Sequence, residues 1–378
     1  MHCLKRLTMQ QYVNVNGQLL RRGFTTGTCA CAALKACVLW TLYDKKDPEV
    51  SVRLNEGSLV NLKIESYEVI EGKKYAFVRK DAGDDSDITN HCLIYVSYKT
   101  TEPGTGFVFT SAEGVGLVTK KGLDVRQGEY AINPGPRKMM KSVLQEYGIN
   151  DAIITVNVKD GQKIAVKTLN SSLGIVGGIS ILGTSGIVEP MSEEAWKESL
   201  IPQIRMIGSY FTSITLLSGG KSRKIYETST FFKNDFLLCG NFFGFSIEKA
   251  IENHIKTIHI MGSFQKIIKL AGLNLNTDSR LSDSKNELLA LMYIMFKKNY
   301  DEEMVKKILS LNPIYNIIEL FDEHSGESKA FFEFCGSYIA QKLEKRFNQP
   351  FIITLCEKER ILSHTGGLLY ALHNGNTD

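Results

Sequence analysis

Proline is scarce in this sequence, 8 in 378 residues, so stiff Pro-rich linkers are excluded. The cysteines Cys3, Cys29, Cys31, Cys37, Cys92, Cys239, Cys335 and Cys356 are scattered, and no two have C-x-x-C spacing. That pattern offers neither a disulfide framework nor a metal site. It reads as small core-filling thiols in a reducing compartment. Charge is nearly balanced: 45 Lys and Arg against 41 Asp and Glu leave +4, short of a nucleic-acid-binding footprint. No apolar run approaches the roughly 18 residues of a membrane span, so no transmembrane helix is expected. After Lys5 and Arg6 comes TMQQYVNVNG where a secretory signal needs an apolar core, so a cytoplasmic protein is expected. Hydrophobic residues at 43% and charged residues at 23% exclude extended disorder, collagen and coiled coil.

What is abundant is glycine, with 32 residues, which points to tight turns or close backbone approach. At roughly 100–200 residues per domain, the length suggests two domains. The first half holds an apolar helix from about Cys29 to Tyr43. Strand-like runs EVSVRL, LVNLKIESYEVI, KYAFVRK and CLIYVSYK follow, then a helix from Lys138 to Tyr147. AIITVNVKD and KIAVKTLN, joined by Asp160-Gly161, read as a hairpin. This half is α+β. In the second half strands alternate with helices, which implies an α/β domain with a small parallel sheet. The domains are expected at 1–195 and 196–378.

Several constellations carry chemistry. Thr25-Thr26-Gly27-Thr28 stands at a helix start, with more hydroxyls than one cap requires; the surplus suits an anion. Asp81-Ala82-Gly83-Asp84-Asp85-Ser86-Asp87 packs four carboxylates into seven residues. It reads as a solvated turn or as a site for a cation or a proton. Gly174 to Pro190 interleaves glycine with Ile, Val and Leu, which suits close packing between domains or against a flat ligand. Two strands end in Gly240 and Gly262, each before a helix that Ser246 or Ser263 can cap. Ligands of open parallel sheets bind at such strand ends. Neither strand end matches GxGxxG. SGGKS at 218–222 lacks the first glycine of a P-loop, since Thr215 holds that place.

Seven blocks then appear in order: RRGFTTGTCA, KDAGDDSDIT, EGVGLVTKKGL, INPGPRKMM, GIVGGISILGTSGIVEPMSEEA, GNFFGFSIEKA and KLAGLNLNTDS. Together, from about Leu20 to Glu287, the chain resembles the cobalt-precorrin-5B C-1 methyltransferase family of anaerobic cobalamin biosynthesis. The resemblance implies methyl transfer from S-adenosylmethionine to C-1 of cobalt-precorrin-5B, giving cobalt-precorrin-6A. It also implies an α+β N-terminal domain like a permuted ribosomal-S5 domain 2, followed by an α/β C-terminal domain.

A flat polycarboxylate substrate calls for donors, and the candidates are Arg21, Arg22, Arg137, Lys138 and the helix start Thr25, Thr26, Gly27 and Thr28; Asn133, Thr184, Ser185 and Glu189 are further candidates for substrate contact. Gly240, Asn241, Gly262, Asn276, Thr277, Asp278 and Ser279 are candidates for the methyl donor. Asp81, Asp84, Asp85, Asp87 and Glu113 are candidate bases. Cobalt arrives with the substrate, so no protein metal site is implied. Neither nucleic acid nor membrane is an expected partner; a homo-oligomer and transient contact with other pathway enzymes stay open.

The sequence departs from the family where Asn276-Thr277-Asp278-Ser279 replaces Asn-Thr-His-Ser, and where Asp87-Ile88-Thr89-Asn90-His91 replaces Asp-Val-Thr-His-Gly. Asp278 and Asn90 thus occupy family histidine positions, with His91 offset by one residue. These changes motivate a second reading, a catalytically altered corrinoid-binding or carrier protein. A phosphate-handling enzyme is a third, opposed by the missing P-loop.

Overall fold

The structure is a computed structural model that describes residues 11–15, 17–228, 236–324, 327–357 and 360–366. Cys3 and the Lys5–Arg6 segment lie outside the described residues. The chain divides into two compact units, Met1–Trp196 and Lys197–Asp378. Both are mixed α/β with small sheets.

The first unit opens with a hairpin of β1 (Tyr12–Val15) and β2 (Gln18–Arg21), then β3 (Gly23–Phe24) and helix α1 (Thr26–Tyr43). A second hairpin pairs β4 (Glu49–Arg53) with β5 (Leu59–Lys63). Strands β6 (Ser66–Ile70), β7 (Lys73–Arg79), β8 (Leu93–Thr100) and β9 (Phe107–Thr110) come next. Short β10 (Leu117–Val118), helix α2 (Pro134–Glu146), β11 (Ala152–Val158) and helix α3 (Gly161–Ala165) follow. Short β12 (Ile175–Val176) and β13 (Ile187–Val188) pair with β10 and β3. The main sheet runs β6-β7-β8-β11-β9, and α1 packs on β7, β8, β4 and α2.

Small side chains explain that packing. Ala30, Ala32, Ala33 and Ala36, with Cys29, Cys31 and Cys37, let α1 lie close to the sheet while Leu34 and Val38 fill the remaining space. The helix is long and apolar enough to cross a membrane, contrary to the expectation from run length. Here it is the core of the unit, with all but its last turn largely buried. The seven described cysteines are free and buried. Burial pushes the thiols up, Cys31 to about 12 and Cys37 to about 11, which leaves them inert packing groups.

Two strand expectations fail locally. LVNLKIESYEVI is not one strand. Ile64 donates to Pro48 O and Glu65 to Phe77 O, so β5 and β6 join different sheets. The expected hairpin after Asp160-Gly161 does not form either. Asp160 has φ +56, but the chain then winds into α3, because Gly161 lies against the Gly114 backbone with no room for a partner strand. Helix α2 starts at Pro134, four residues earlier than expected, where proline's missing N–H costs nothing.

The second unit begins within α4 (Glu193–Tyr210). It continues with β14 (Ser213–Leu217), α5 (Gly220–Thr228), β15 (Phe236–Leu238), α6 (Phe243–Glu252), β16 (Thr257–Ser263) and the short α7 (Phe264–Ile267). Helices α8 (Lys285–Lys297), α9 (Glu302–Leu309), α10 (Ile317–His324) and α11 (Ser328–Phe347) precede β17 (Phe351–Glu357) and β18 (Arg360–His364). The sheet runs β15-β14-β16-β17-β18. Its first four strands are parallel, and β18 adds an antiparallel edge that the sequence reading lacked. From β14 the chain steps to one side for β15 and to the other for β16. Strand order therefore reverses between the parallel strands β14 and β16, where open sheets leave a crevice at the carboxyl ends. One buried polar row crosses this sheet: Thr215, His259, Thr354 and His364 bond in sequence at 3.2, 2.7 and 2.8 Å.

Candidate active site

Five of the seven sequence blocks fall in the first unit, and main-chain bonds tie them together. Phe24 donates to Asp81 O, Thr25 to Gly186 O and Gly27 to Leu182 O. Gly116 donates to Ile179 O, Ala131 to Gly116 O and Asn133 to Ile181 O. Glycine is required where these loops cross. At Gly83, φ is +69 and an added Cβ would stand 2.2 Å from Arg21 O; at Gly178 it would stand 2.2 Å from Gly114 O. The Gly174–Pro190 run makes close contacts with other loops of this unit.

The threonine block is likewise turned inward. Thr25 Oγ1 accepts from Thr28 N at 3.2 Å and caps α1. Thr26 Oγ1 accepts from Leu182 N at 2.8 Å, and Thr28 Oγ1 donates to Gly186 O at 2.6 Å. The hydroxyls beyond the cap hold the glycine run in place, which corrects the expectation that they wait for an anion. Thr184 and Ser185 are exposed beside them; Asn55 Nδ2 donates to Thr184 O, and the Ser185 hydroxyl closes a turn on Ile187.

The acidic loop is a set of unequal carboxylates. Arg21 grips Asp81 with two bonds of 2.7 and 2.8 Å, which hold its carboxyl below the usual range. Asp84 accepts from Arg21 N at 2.6 Å. Asp87 is pushed up by burial, but Lys80, 1% exposed and 2.7 Å away, outweighs this together with the Thr89 donors and lowers it overall. Asp85 has one described partner, Met191 N at 3.3 Å. Asp85 is thus the carboxylate of the loop left most available. Glu113 accepts from the Tyr95 hydroxyl and from Asp160 N, and burial followed by Glu113 raises Tyr95. Among the cations, Arg22 pairs with Glu189 at 2.7 Å. Arg137 pairs with Glu129 at 2.7 Å and donates to Ile132 O. Lys138 is exposed on α2.

In the second unit the carboxyl ends of β15, β14 and β16 stand side by side. Gly240 has φ +63, so backbone geometry alone accounts for glycine there. Gly262 leaves the Ser218 hydroxyl room; a Cβ would lie 2.4 Å from it. Gly219 and Gly220, from the rejected P-loop segment, turn from β14 into α5 with open space around them. The 276–279 loop folds onto the end of β15: Thr277 N donates to Asn241 O at 3.0 Å, Asn241 Nδ2 to Asp278 Oδ2 at 3.5 Å, and Asn276 bridges Phe242. Arg280 bonds hold Asp278 ionised, well below the usual range. Ser279 is exposed in the turn. Ser246 lies inside α6 and caps nothing; Ser263 stands at a cap position without a side-chain cap bond.

These blocks also define relatives. Residues 13–190 match the family model CbiD. A protein of Thermosipho africanus named cobalt-precorrin-5B C(1)-methyltransferase is 39% identical over 326 residues, 85% of this chain and 90% of that one. The chain belongs to the CbiD family. A Methanocaldococcus jannaschii protein of the same name is 38% identical over 330 residues, 86% of this chain and 90% of its own. The crystal structure of cobalamin biosynthesis protein (cbiD) from Archaeoglobus fulgidus is 25% identical, covering 74% of this chain and 93% of that chain, with a TM-score of 0.39.

Against the CbiD pattern, the two histidine replacements have defined local roles here. Asn90 Oδ1 accepts from Ala82 N and His91 N at 3.0 Å and pins the acidic loop. Asp278 joins Arg280 to Asn241. His91 is exposed at φ +63. The sequence reading missed Lys80, which supports Asp87, and Asn157, whose side chain accepts from Ala112 N and Glu113 N. Lys80 follows exposed Arg79 at the end of β7 and so falls on the face of buried Val78.

Proposed function

We propose that this chain is a C-methyltransferase that methylates C-1 of cobalt-precorrin-5B to give cobalt-precorrin-6A, with S-adenosylmethionine as donor. The supporting observation is the convergence of the family blocks into one hydrogen-bonded set of loops that leaves Asp85 as its least engaged carboxylate. When bound, the donor supplies an electrophilic methyl group on a sulfonium sulfur.

The residues at the β15 end suit such a group: an ionised carboxylate at Asp278 and amides at Asn241 and Asn276, beside a strand-end crevice at Gly219 and Gly262. Arg22, Arg137 and Lys138 are assigned to the substrate's carboxylate arms. Asp85 accepts the proton the macrocycle loses. Asp81 and Asp87, held low by Arg21 and Lys80, are weaker bases and instead shape the loop. The first unit's sheet, with α1 and α2 packed beside it, is assigned to the permuted ribosomal-S5-like class.

Anaerobic incubation with cobalt-precorrin-5B and methyl-labelled donor tests the reading. Label at C-1 is expected. Asp85→Asn should lower kcat by about 100-fold, the scale of lost general-base catalysis, with an unchanged melting temperature. A macrocycle that binds without acquiring label overturns the methyltransferase reading. Unimpaired turnover in Asp85→Asn removes the base from that position.

A further inference from the structure

One cavity among the described residues extends from the INPGPRKMM block, whose Arg137 and Lys138 are already assigned to the substrate, to residues outside the family blocks. It measures about 680 Å³ and lies along one face of α2, within the size range of small-molecule sites. Arg126, Arg137, Lys138 and Lys141 line it against Asp124 and Glu129. Residues 137, 138, 141 and 145 recur at helical spacing, which places these cations of α2 on one side. Glu129 is committed to Arg137 at 2.7 Å. Arg126, Lys138 and Lys141 have no carboxylate within ion-pair distance among the described residues. Two of the cations are held over aromatic rings of β9. The Arg137 guanidinium stands 5.2 Å from the Phe109 ring centre, and Lys141 Nζ stands 5.8 Å from that of Phe107. Four cations against two carboxylates leave this concave surface with an excess of positive charge, and an anion with several separated carboxylates relieves the repulsion among the cations.

We infer that this cavity is a polycarboxylate subsite in which Arg126, Lys138 and Lys141 bind peripheral carboxylate arms of the macrocycle. The inference rests on the methyltransferase reading for the identity of the macrocycle. Arg126 and Lys141 lie outside the conspicuous family blocks, and the cavity assigns them a specificity role. Binding involves no bond making, so the three cations should set affinity and leave the chemical step alone.

The test uses the full chain with Arg126→Ala, Lys138→Ala, Lys141→Ala and the triple variant, with Lys63→Ala on β5 as control. Uroporphyrin, a flat tetrapyrrole with eight carboxylates, is the binding probe, titrated by fluorescence at two salt concentrations. Melting temperatures confirm folding. Each single change should weaken probe binding about fivefold, the upper range for an exposed ion pair. The triple variant should lose about 50-fold or more and show a flatter salt dependence, while Lys63→Ala stays at the wild-type value. With cobalt-precorrin-5B, KM should rise in parallel while kcat stays within about twofold.

A triple variant with wild-type KM and probe affinity overturns the subsite. If wild type transfers methyl normally and only that result appears, the subsite falls and the methyltransferase reading stands. If probe binding depends on the three cations but wild type transfers no methyl to cobalt-precorrin-5B, the subsite stands and the methyltransferase reading falls.

Discussion

The two units treat their motif residues in opposite ways. In the first, the blocks bond to one another: threonine hydroxyls, loop amides and most of the acidic carboxylates are taken by neighbouring loops. In the second, glycines at the β14 end face open space, and the polar groups cluster beside them on one folded-over loop. The contrast shows that an array of polar residues in a sequence does not announce whether it meets a ligand or the protein itself. The answer depends on whether loops distant in sequence arrive to use it.

Substitution at a loop crossing in the first unit should have the largest effect. Gly83→Val forces a β-branched residue to φ +69 and its Cβ to 2.2 Å from Arg21 O. Loss of more than about 4 kcal/mol of stability is expected, enough to unfold a marginal unit. Chemical denaturation reads this directly. A variant with near-native stability would mean that the loops yield, and the contrast with the second unit would collapse.

Buried ionisable groups sharpen the comparison further. The first unit buries a charge with its partner, Lys80 with Asp87. Lys80→Met leaves Asp87 with only the Thr89 donors and should cost about 3 kcal/mol, the lower range for breaking a buried pair. Asp87→Leu added to that variant should recover part of the loss. If the double variant is no better than the single one, Lys80 acts by packing and not by charge.

The second unit instead buries a neutral imidazole. Burial, and secondarily His364, lower His259 to about 3, against about 6.5 when unfolded. Between those values the unfolded chain binds the extra proton, so stability falls as pH drops from 6.5 towards 3. From this group the loss is about 2 kcal/mol at pH 5. His364 is lowered by burial too and adds to the loss in the same direction. Carboxylates titrate mostly below pH 5, so urea unfolding at pH 7 and pH 5 isolates the histidines. His259→Gln should flatten the difference; an unchanged pH slope would assign it to other groups.

Much of this architecture is legible in the sequence. Alternation in EVSVRL, the short apolar run in KYAFVRK, the apolar helix after GFTTGT and the strand–helix alternation of the second half all follow from side-chain pattern. The failures are tertiary. Asp160-Gly161 carries a hairpin signal, but Gly114 backbone occupies the space a returning strand needs. LVNLKIESYEVI keeps one alternation through Val60, Leu62 and Ile64 and another, shifted by one residue, through Tyr67 and Val69, and bonds to Pro48 and Phe77 split it at Ile64–Glu65. In the site, arginines and carboxylates are visible as residue types, but their pairing across sixty or more positions is not. Arg21 with Asp81 and Arg22 with Glu189 depend on which loops the glycines allow to meet. Lys80 likewise shows its enclosure and its pairing with Asp87 only in the fold.

The smallest effect on stability is expected at Gly219. An added Cβ there meets nothing within 4 Å, and the backbone is not in the left-handed region. Gly219→Ala should therefore change stability by less than about 0.5 kcal/mol, as surface substitutions do. Its value lies in what the methyl group blocks. The position stands where strand order reverses between β14 and β16, the place at which an open sheet admits a ligand. Titration calorimetry with S-adenosylmethionine should show affinity reduced about tenfold while the melting temperature holds, because a methyl group in a filled crevice displaces ligand without touching protein. Loss of stability instead would show that the space is closed in solution, as at Gly83. Unchanged affinity and stability would leave the donor to the Asn241–Asp278 corner alone and make the β14 end an ordinary turn.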